Sequence, residues 1–148
     1  MSNQSTAFGR RGRVVFTAGV WDILHVGHLN LLNRAKALGD VLLVGVLTDE
    51  AAERYKPRPV MPFEQRVELV KALRMVDDVF AVHDTNATSL IAELEPDILV
   101  HGSDISHKPG WEIGQSWMRD NGKQFVVLPY TEGVSSTRLK DAVRARAV

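Results

Sequence analysis

Two histidines three positions apart, His25 and His28, flank Gly27 where an apolar run gives way to a helical pattern. The run Val14 to Phe16 reads as a buried strand that breaks at Thr17-Ala-Gly19. Beyond His25, the residues Leu31, Leu32, Ala35 and Leu38 recur at helical spacing until Gly39 closes the pattern. Two imidazole N–H donors beside the free backbone N–H groups of a helix start suit a phosphate that gains charge during reaction. Gly27 carries no side chain to hold that phosphate away. The chemistry suggested is handling of a nucleotide phosphate. A structural histidine pair, or part of a metal site, is the alternative. No His/Asp/Glu cluster at familiar zinc spacing stands nearby.

Such a turn needs a sheet to hold it, and the rest of the chain supplies the pattern. Val41 to Leu47 is continuously apolar, as in a strand buried on both faces of a parallel sheet. Pro62 marks the start of a helix over 64–74, and 79–82 is a short strand. A helix over 89–94 ends before Pro96, and 98–100 is the next strand. The segment 111–119 is helical before Asn121-Gly122, and 125–128 is a fifth strand. Ser135 or Ser136 caps a last helix carrying Leu139 and Val143. This alternation predicts an α/β fold, a Rossmann-like doubly wound parallel five-stranded sheet in a single domain. Residues 1–12 read as a disordered leader and 13–148 as the domain.

Composition narrows the function classes. Eighteen basic residues balance eighteen acidic ones, so neither nucleic acid nor a membrane surface is an expected partner. No cysteine is present, which removes disulfides and thiolate metal sites. No apolar run reaches membrane-spanning length, and a cytoplasmic location is the expectation.

The segment Asp22-Ile-Leu-His-Val-Gly-His28, with Leu31 to Asp40 after it, resembles the HxGH signature of the cytidylyltransferase-like nucleotidyltransferases. That group includes the glycerol-3-phosphate and phosphoethanolamine cytidylyltransferases and the heptose-phosphate adenylyltransferases. Thr131-Glu-Gly-Val-Ser-Ser-Thr137 resembles the RTxGISTT element of the same family. The resemblance implies attack of an acceptor phosphate oxygen on the α-phosphorus of a nucleoside triphosphate, with release of pyrophosphate. Catalysis of this type is mostly positioning and charge stabilisation. His25 and His28 match the histidines that contact the triphosphate. Lys56 and Arg58, in Arg54-Tyr-Lys-Pro-Arg-Pro59, resemble the family's basic loop that folds over the α-phosphate and acceptor. Arg66 matches an arginine facing the acceptor. Asp22 matches an aspartate that orients an imidazole or helps place a metal ion, a structural turn aspartate being the alternative. Thr17 and Ala18, at the strand end, and Thr131, Ser135, Ser136 and Thr137 would bind substrate, with Arg138 adding charge near the pyrophosphate. Asp104, in His101-Gly-Ser-Asp104, resembles an element near base and acceptor, and His101 is a further crevice residue. Mg²⁺, or another divalent ion, accompanies the nucleotide, and a homodimer is implied by the resemblance.

The departures from the family cluster around base and acceptor. Tyr130 stands where the glycerol-3-phosphate enzymes carry the arginine of RTxG, and is closer to the heptose-phosphate adenylyltransferases. Val20 and Trp21 replace a Thr-Phe pair, and Ile105 replaces a tryptophan. The expectation is cytidylyl transfer from CTP to a small phosphate or phosphonate acceptor, on the likeness of Lys56-Pro-Arg-Pro59 and His101-Gly-Ser-Asp104 to the small cytidylyltransferases. The alternatives are adenylyl transfer from ATP to a sugar phosphate, and a nucleotide-binding module without turnover.

Overall fold

The computed structural model describes residues 12–104 and 110–147. The expected leader (but for Gly12), together with Ile105 and His107, lies outside the described residues. The elements run β1 (Val14–Gly19), α1 (Val26–Ala37), β2 (Val41–Leu47), α2 (Asp49–Glu53), α3 (Phe63–Lys71), β3 (Asp78–Val82), α4 (Thr88–Leu94), β4 (Ile98–Gly102), α5 (Trp111–Asp120), β5 (Gln124–Leu128) and α6 (Ser136–Arg146). The five strands pair in parallel in the order β3-β2-β1-β4-β5.

Alternation along each strand divides the core into two layers. Val14, Phe16, Leu43, Leu47 and Leu99 pack with Ile91 of α4 and Met118 of α5. Val15, Leu42, Val44, Val46, Ile98 and Val100 pack on the opposite face with Leu32 and Ala35 of α1 and Val70 of α3. Because both faces are covered, the central strands carry apolar residues toward both layers, with Thr17 of β1 and His101 of β4 the polar exceptions toward their carboxyl ends. The chain is doubly wound, and its strand order reverses between β1 and β4. That reversal opens a crevice beyond the carboxyl ends of these two strands.

The helix α6 is the exception to this packing. Leu139 and Val143 lie on it as the spacing indicates, yet no residue of α6 is buried and Val143 is 69% exposed. The β1–α1 turn is also unusual, with Trp21 at φ 57° and Ile23 at φ 49°. A non-glycine residue in the left-handed region costs on the order of 1–3 kcal/mol. The turn is held by the buried Trp21 indole, whose N–H donates to the Gly45 carbonyl of β2 at 2.9 Å.

Candidate active site

A cavity of about 550 Å³ occupies the crevice at the carboxyl ends of β1 and β4. Its volume is in the range of small-molecule sites. Of the residues singled out in the sequence, Thr17, Ala18, Asp22, His25, Gly27, His28, Lys56, Arg58, His101, Asp104, Ser135, Ser136 and Thr137 line it. Thr131, Arg66 and Arg138 do not.

The histidines form a reciprocal helix cap. His25 is the residue before α1, and its Nδ1 accepts from the Gly27 amide at 3.0 Å. The Nδ1 of His28 in turn accepts from the His25 amide at 3.2 Å. With Nδ1 engaged as an acceptor, the proton of each neutral ring resides on Nε2, which makes both rings N–H donors. The rings stack with centroids 3.9 Å apart, and Trp21 packs edge-on to His28 at 5.4 Å. Burial, reinforced by the charges of His25 and Lys56 and opposed by Asp22, pushes His28 down to about 3. Burial also lowers His25. Two neutral rings, rather than two imidazolium cations, therefore line the cavity near pH 7. A Cβ added to Gly27 would come within 2.8 Å of His25 Cε1 and 2.9 Å of Nδ1. The glycine thus leaves room for the His25 ring as well as for a ligand.

Asp22 is 5% exposed and sits at a junction. Its carboxylate accepts from the amides of Val60 (2.8 Å) and Met61 (2.9 Å) and pairs with Lys140 Nζ at 3.0 Å. Burial alone would raise its pKa, but the Met61 and Val60 amides and the Lys140 ammonium outweigh burial and hold it below its ordinary value. These partners make Asp22 a junction between the β1–α1 turn, the end of the basic loop and α6. Among the described residues no group of three His, Cys, Asp or Glu could hold a metal ion.

The basic loop after α2 supplies Lys56, which makes no ion pair among the described residues and is lowered by burial, with Asp104 and Asp22 opposing the shift and Lys140 adding to it. Its Nζ lies 5.4 Å from the centroid of the Tyr55 ring. Arg58 reaches the cavity but pairs with Glu53 at 3.1 Å and Asp49 at 3.4 Å. At the β4 end, Asp104 and the Tyr130 hydroxyl are neighbours. Burial first, then Asp104, pushes Tyr130 upward, and the same two causes raise Tyr55 to about 12. Opposite, Ser135 caps α6 by accepting from the Arg138 amide at 3.0 Å. The Ser136 hydroxyl donates to the Asp22 carbonyl. The Thr17 hydroxyl donates to the Val100 carbonyl at 2.9 Å, fixing β1 to β4 beneath the cavity.

Two residues hold the site from outside it. Arg66, expected to face the acceptor, has no exposed surface. Its guanidinium donates to the carbonyls of Met61 (2.9 Å), Val20 (2.7 Å) and Leu47 (2.8 Å), and to Asp49 Oδ1 (2.7 Å). It joins the ends of β1 and β2 to the basic loop, because strand-end carbonyls buried beside a helix need a donor. Thr131 accepts from the Asn30 amide nitrogen at 2.8 Å, holding α1 against the segment after β5. The sequence reading missed Tyr55, Lys140 and Arg144, which also line the cavity. Ser136, Lys140 and Arg144 are spaced four apart on α6, a helical stripe that could have identified the last two.

The sequence profile of the cytidylyltransferase-like family matches residues 16–142. The chain belongs to this family of nucleotidyltransferases. Over 148 aligned residues it is 40% identical to the bifunctional protein HldE of Sodalis glossinidius, covering 97% of this chain and 30% of that protein. HldE of Klebsiella pneumoniae is 41% identical over 133 residues, 88% of this chain and 28% of that protein. The chain therefore spans less than a third of the length of these relatives. Among solved structures, a lipopolysaccharide core biosynthesis protein from Thermoplasma volcanium superposes with a TM-score of 0.69 and 30% identity, covering 82% of this chain and 98% of that one. Pantoate-beta-alanine ligase from Francisella tularensis, at 15% identity and a TM-score of 0.60, shares the fold over 95% of this chain and 72% of its own. Among the described residues, no helix is long and apolar enough to cross a membrane.

Proposed function

We propose that this chain transfers an adenylyl group from ATP to a sugar phosphate and releases pyrophosphate. The observation that carries the chemistry is the pair of imidazoles whose Nδ1 atoms each accept a backbone amide, which leaves Nε2–H as the donor, in a cavity that also holds Lys56 and the start of α6. Donors fixed where charge develops need no reorganisation as the bond to pyrophosphate breaks. Lys56 would serve the α-phosphate, and Ser135, Ser136 and Thr137 the β- and γ-phosphates. Mg²⁺ would enter on the triphosphate oxygens, where it lowers repulsion toward the acceptor anion; no cage of protein carboxylates is required for that.

The choice of nucleotide and acceptor rests on likeness. Tyr130 replaces the arginine of the glycerol-3-phosphate enzymes, so this position offers no guanidinium to read cytosine. The 40% identity to HldE, and the 30% identity to a protein of lipopolysaccharide core biosynthesis, favour a saccharide acceptor. The initial expectation of CTP yields to ATP on these grounds. CTP with an alcohol phosphate or phosphonate is the second reading, favoured by Lys56-Pro-Arg-Pro59 and His101-Gly-Ser-Asp104. Pyrophosphate release should be measured with ATP, CTP, GTP and UTP against sugar phosphates, glycerol 3-phosphate, phosphoethanolamine and phosphonates. Fastest release with ATP and a sugar phosphate is expected. A faster reaction of CTP with an alcohol phosphate or phosphonate would select the second reading, and nucleotide binding without release would indicate a non-catalytic module.

A further inference from the structure

The last helix is attached to the domain in an unusual way. None of its residues is buried, so apolar packing does little to fix it. Among the described residues, the hydrogen bonds and ion pairs from α6 to other elements all end on Asp22. Ser136 donates to its carbonyl, and Lys140 pairs with its carboxylate at 3.0 Å. The same carboxylate accepts from the Val60 and Met61 amides, at the end of the loop that carries Lys56. One aspartate therefore joins three walls of the cavity: the β1–α1 turn with the histidines, the basic loop, and α6.

We propose that Lys140 is a positioning residue, whose ion pair with Asp22 fixes where the Ser135–Thr137 end of α6 stands relative to His25 and His28. Lys140 lies one turn beyond Ser136, so the two contacts to Asp22 form a two-point clamp on one face of the helix. Lys140 is 23% exposed at its side chain and Asp22 5%, so water screens the pair far less than a surface pair. Because α6 contributes nothing to either core layer, loss of the clamp should release the helix and leave the sheet intact. The consequence for ligand binding rests on the reading of the cavity as a nucleoside triphosphate site; the clamp itself does not.

Hydrogen exchange of the ligand-free protein tests the clamp separately from the function. In Lys140→Met, amides of α6 should exchange about tenfold faster or more, while those of β1, β2 and β4 stay unchanged. Lys140→Arg, which can still pair with Asp22, should restore most of the protection. Calorimetry with ATP and with CTP then reads the consequence. The nucleotide that the unmodified protein binds more tightly should bind about tenfold more weakly to Lys140→Met and near normally to Lys140→Arg. Unchanged exchange in α6 would overturn the proposal, and so would lost protection across the strands, which would make the pair a requirement for folding. Weakened binding with α6 still fully protected would make Lys140 a direct phosphate contact instead. If neither nucleotide binds the unmodified protein, the proposed function fails while the exchange result still decides the clamp.

Discussion

The substitution His28→Gln separates the two roles that the structure gives this ring. His28 is the third residue of α1, and its Nδ1 accepts the His25 amide. Glutamine at that helix position makes the same return bond in a capping box, so the turn should survive. What disappears is a half-buried imidazole whose folded pKa is about 3 against an ordinary 6.5. As pH falls below 6.5, the unfolded chain takes up the proton first. The His28 contribution is therefore fully present above that value and is lost as pH falls toward 3. The loss is about 1.4 kcal/mol per pH unit, or about 2–3 kcal/mol over the first two units. Urea denaturation of both proteins at about pH 6.5, 5.5 and 4.5 measures this directly. The unmodified protein should lose about 2–3 kcal/mol more than the variant over that interval. His25 is present in both, so its own titration largely cancels. Parallel curves would refute the depressed pKa of His28, and with it the claim that the fold keeps this ring unprotonated, with Nδ1 an acceptor, below pH 6.5. Turnover near pH 7 should fall about 10²–10³-fold in the variant, as when one fixed donor to a developing charge is removed.

Arg66→Met should destabilise the domain by about 3–5 kcal/mol, since it strands the Val20, Leu47 and Met61 carbonyls and leaves Asp49 only longer contacts to Arg58 and the Phe63 amide. Thermal and urea unfolding measure this; a change in turnover without a loss of stability would return Arg66 to the acceptor. Gly27→Ala should push the His25 ring off its cap, lowering turnover about tenfold or more while the far-ultraviolet circular dichroism stays native. Lys56→Ala removes a cation with no ion-pair partner among the described residues, so transfer should slow about 10²-fold with little change in melting temperature. Single-turnover kinetics beside a melting curve distinguish this from a structural lysine.

The local sequence determined the frame of this protein. Strand β2 covers Val41–Leu47, the whole apolar run, because a central parallel strand must be apolar on both faces. His25, Gly27 and His28 determined the cap and its glycine, since those contacts span only three residues along the chain. The cap of α6 was legible for the same reason, as Ser135 or Ser136, and the fold selects Ser135. Tertiary structure decided the roles of the charged residues. Nothing near Arg66 in the sequence indicates that a guanidinium would be drawn into the core, because its partners Val20 and Leu47 are distant carbonyls that become neighbours only when β1 and β2 align. Asp22 reads locally as a turn aspartate, an imidazole-orienting group or a metal ligand, and only the fold brings it amides 38 and 39 residues further on, with Lys140 beyond them, as partners. Leu139 and Val143 have the spacing of a buried face, but α6 follows the last strand and rests on the cavity rim rather than on a core layer. Periodicity and capping propagate through neighbouring residues, whereas a charge takes its role from whichever partner the completed fold brings within about 3 Å.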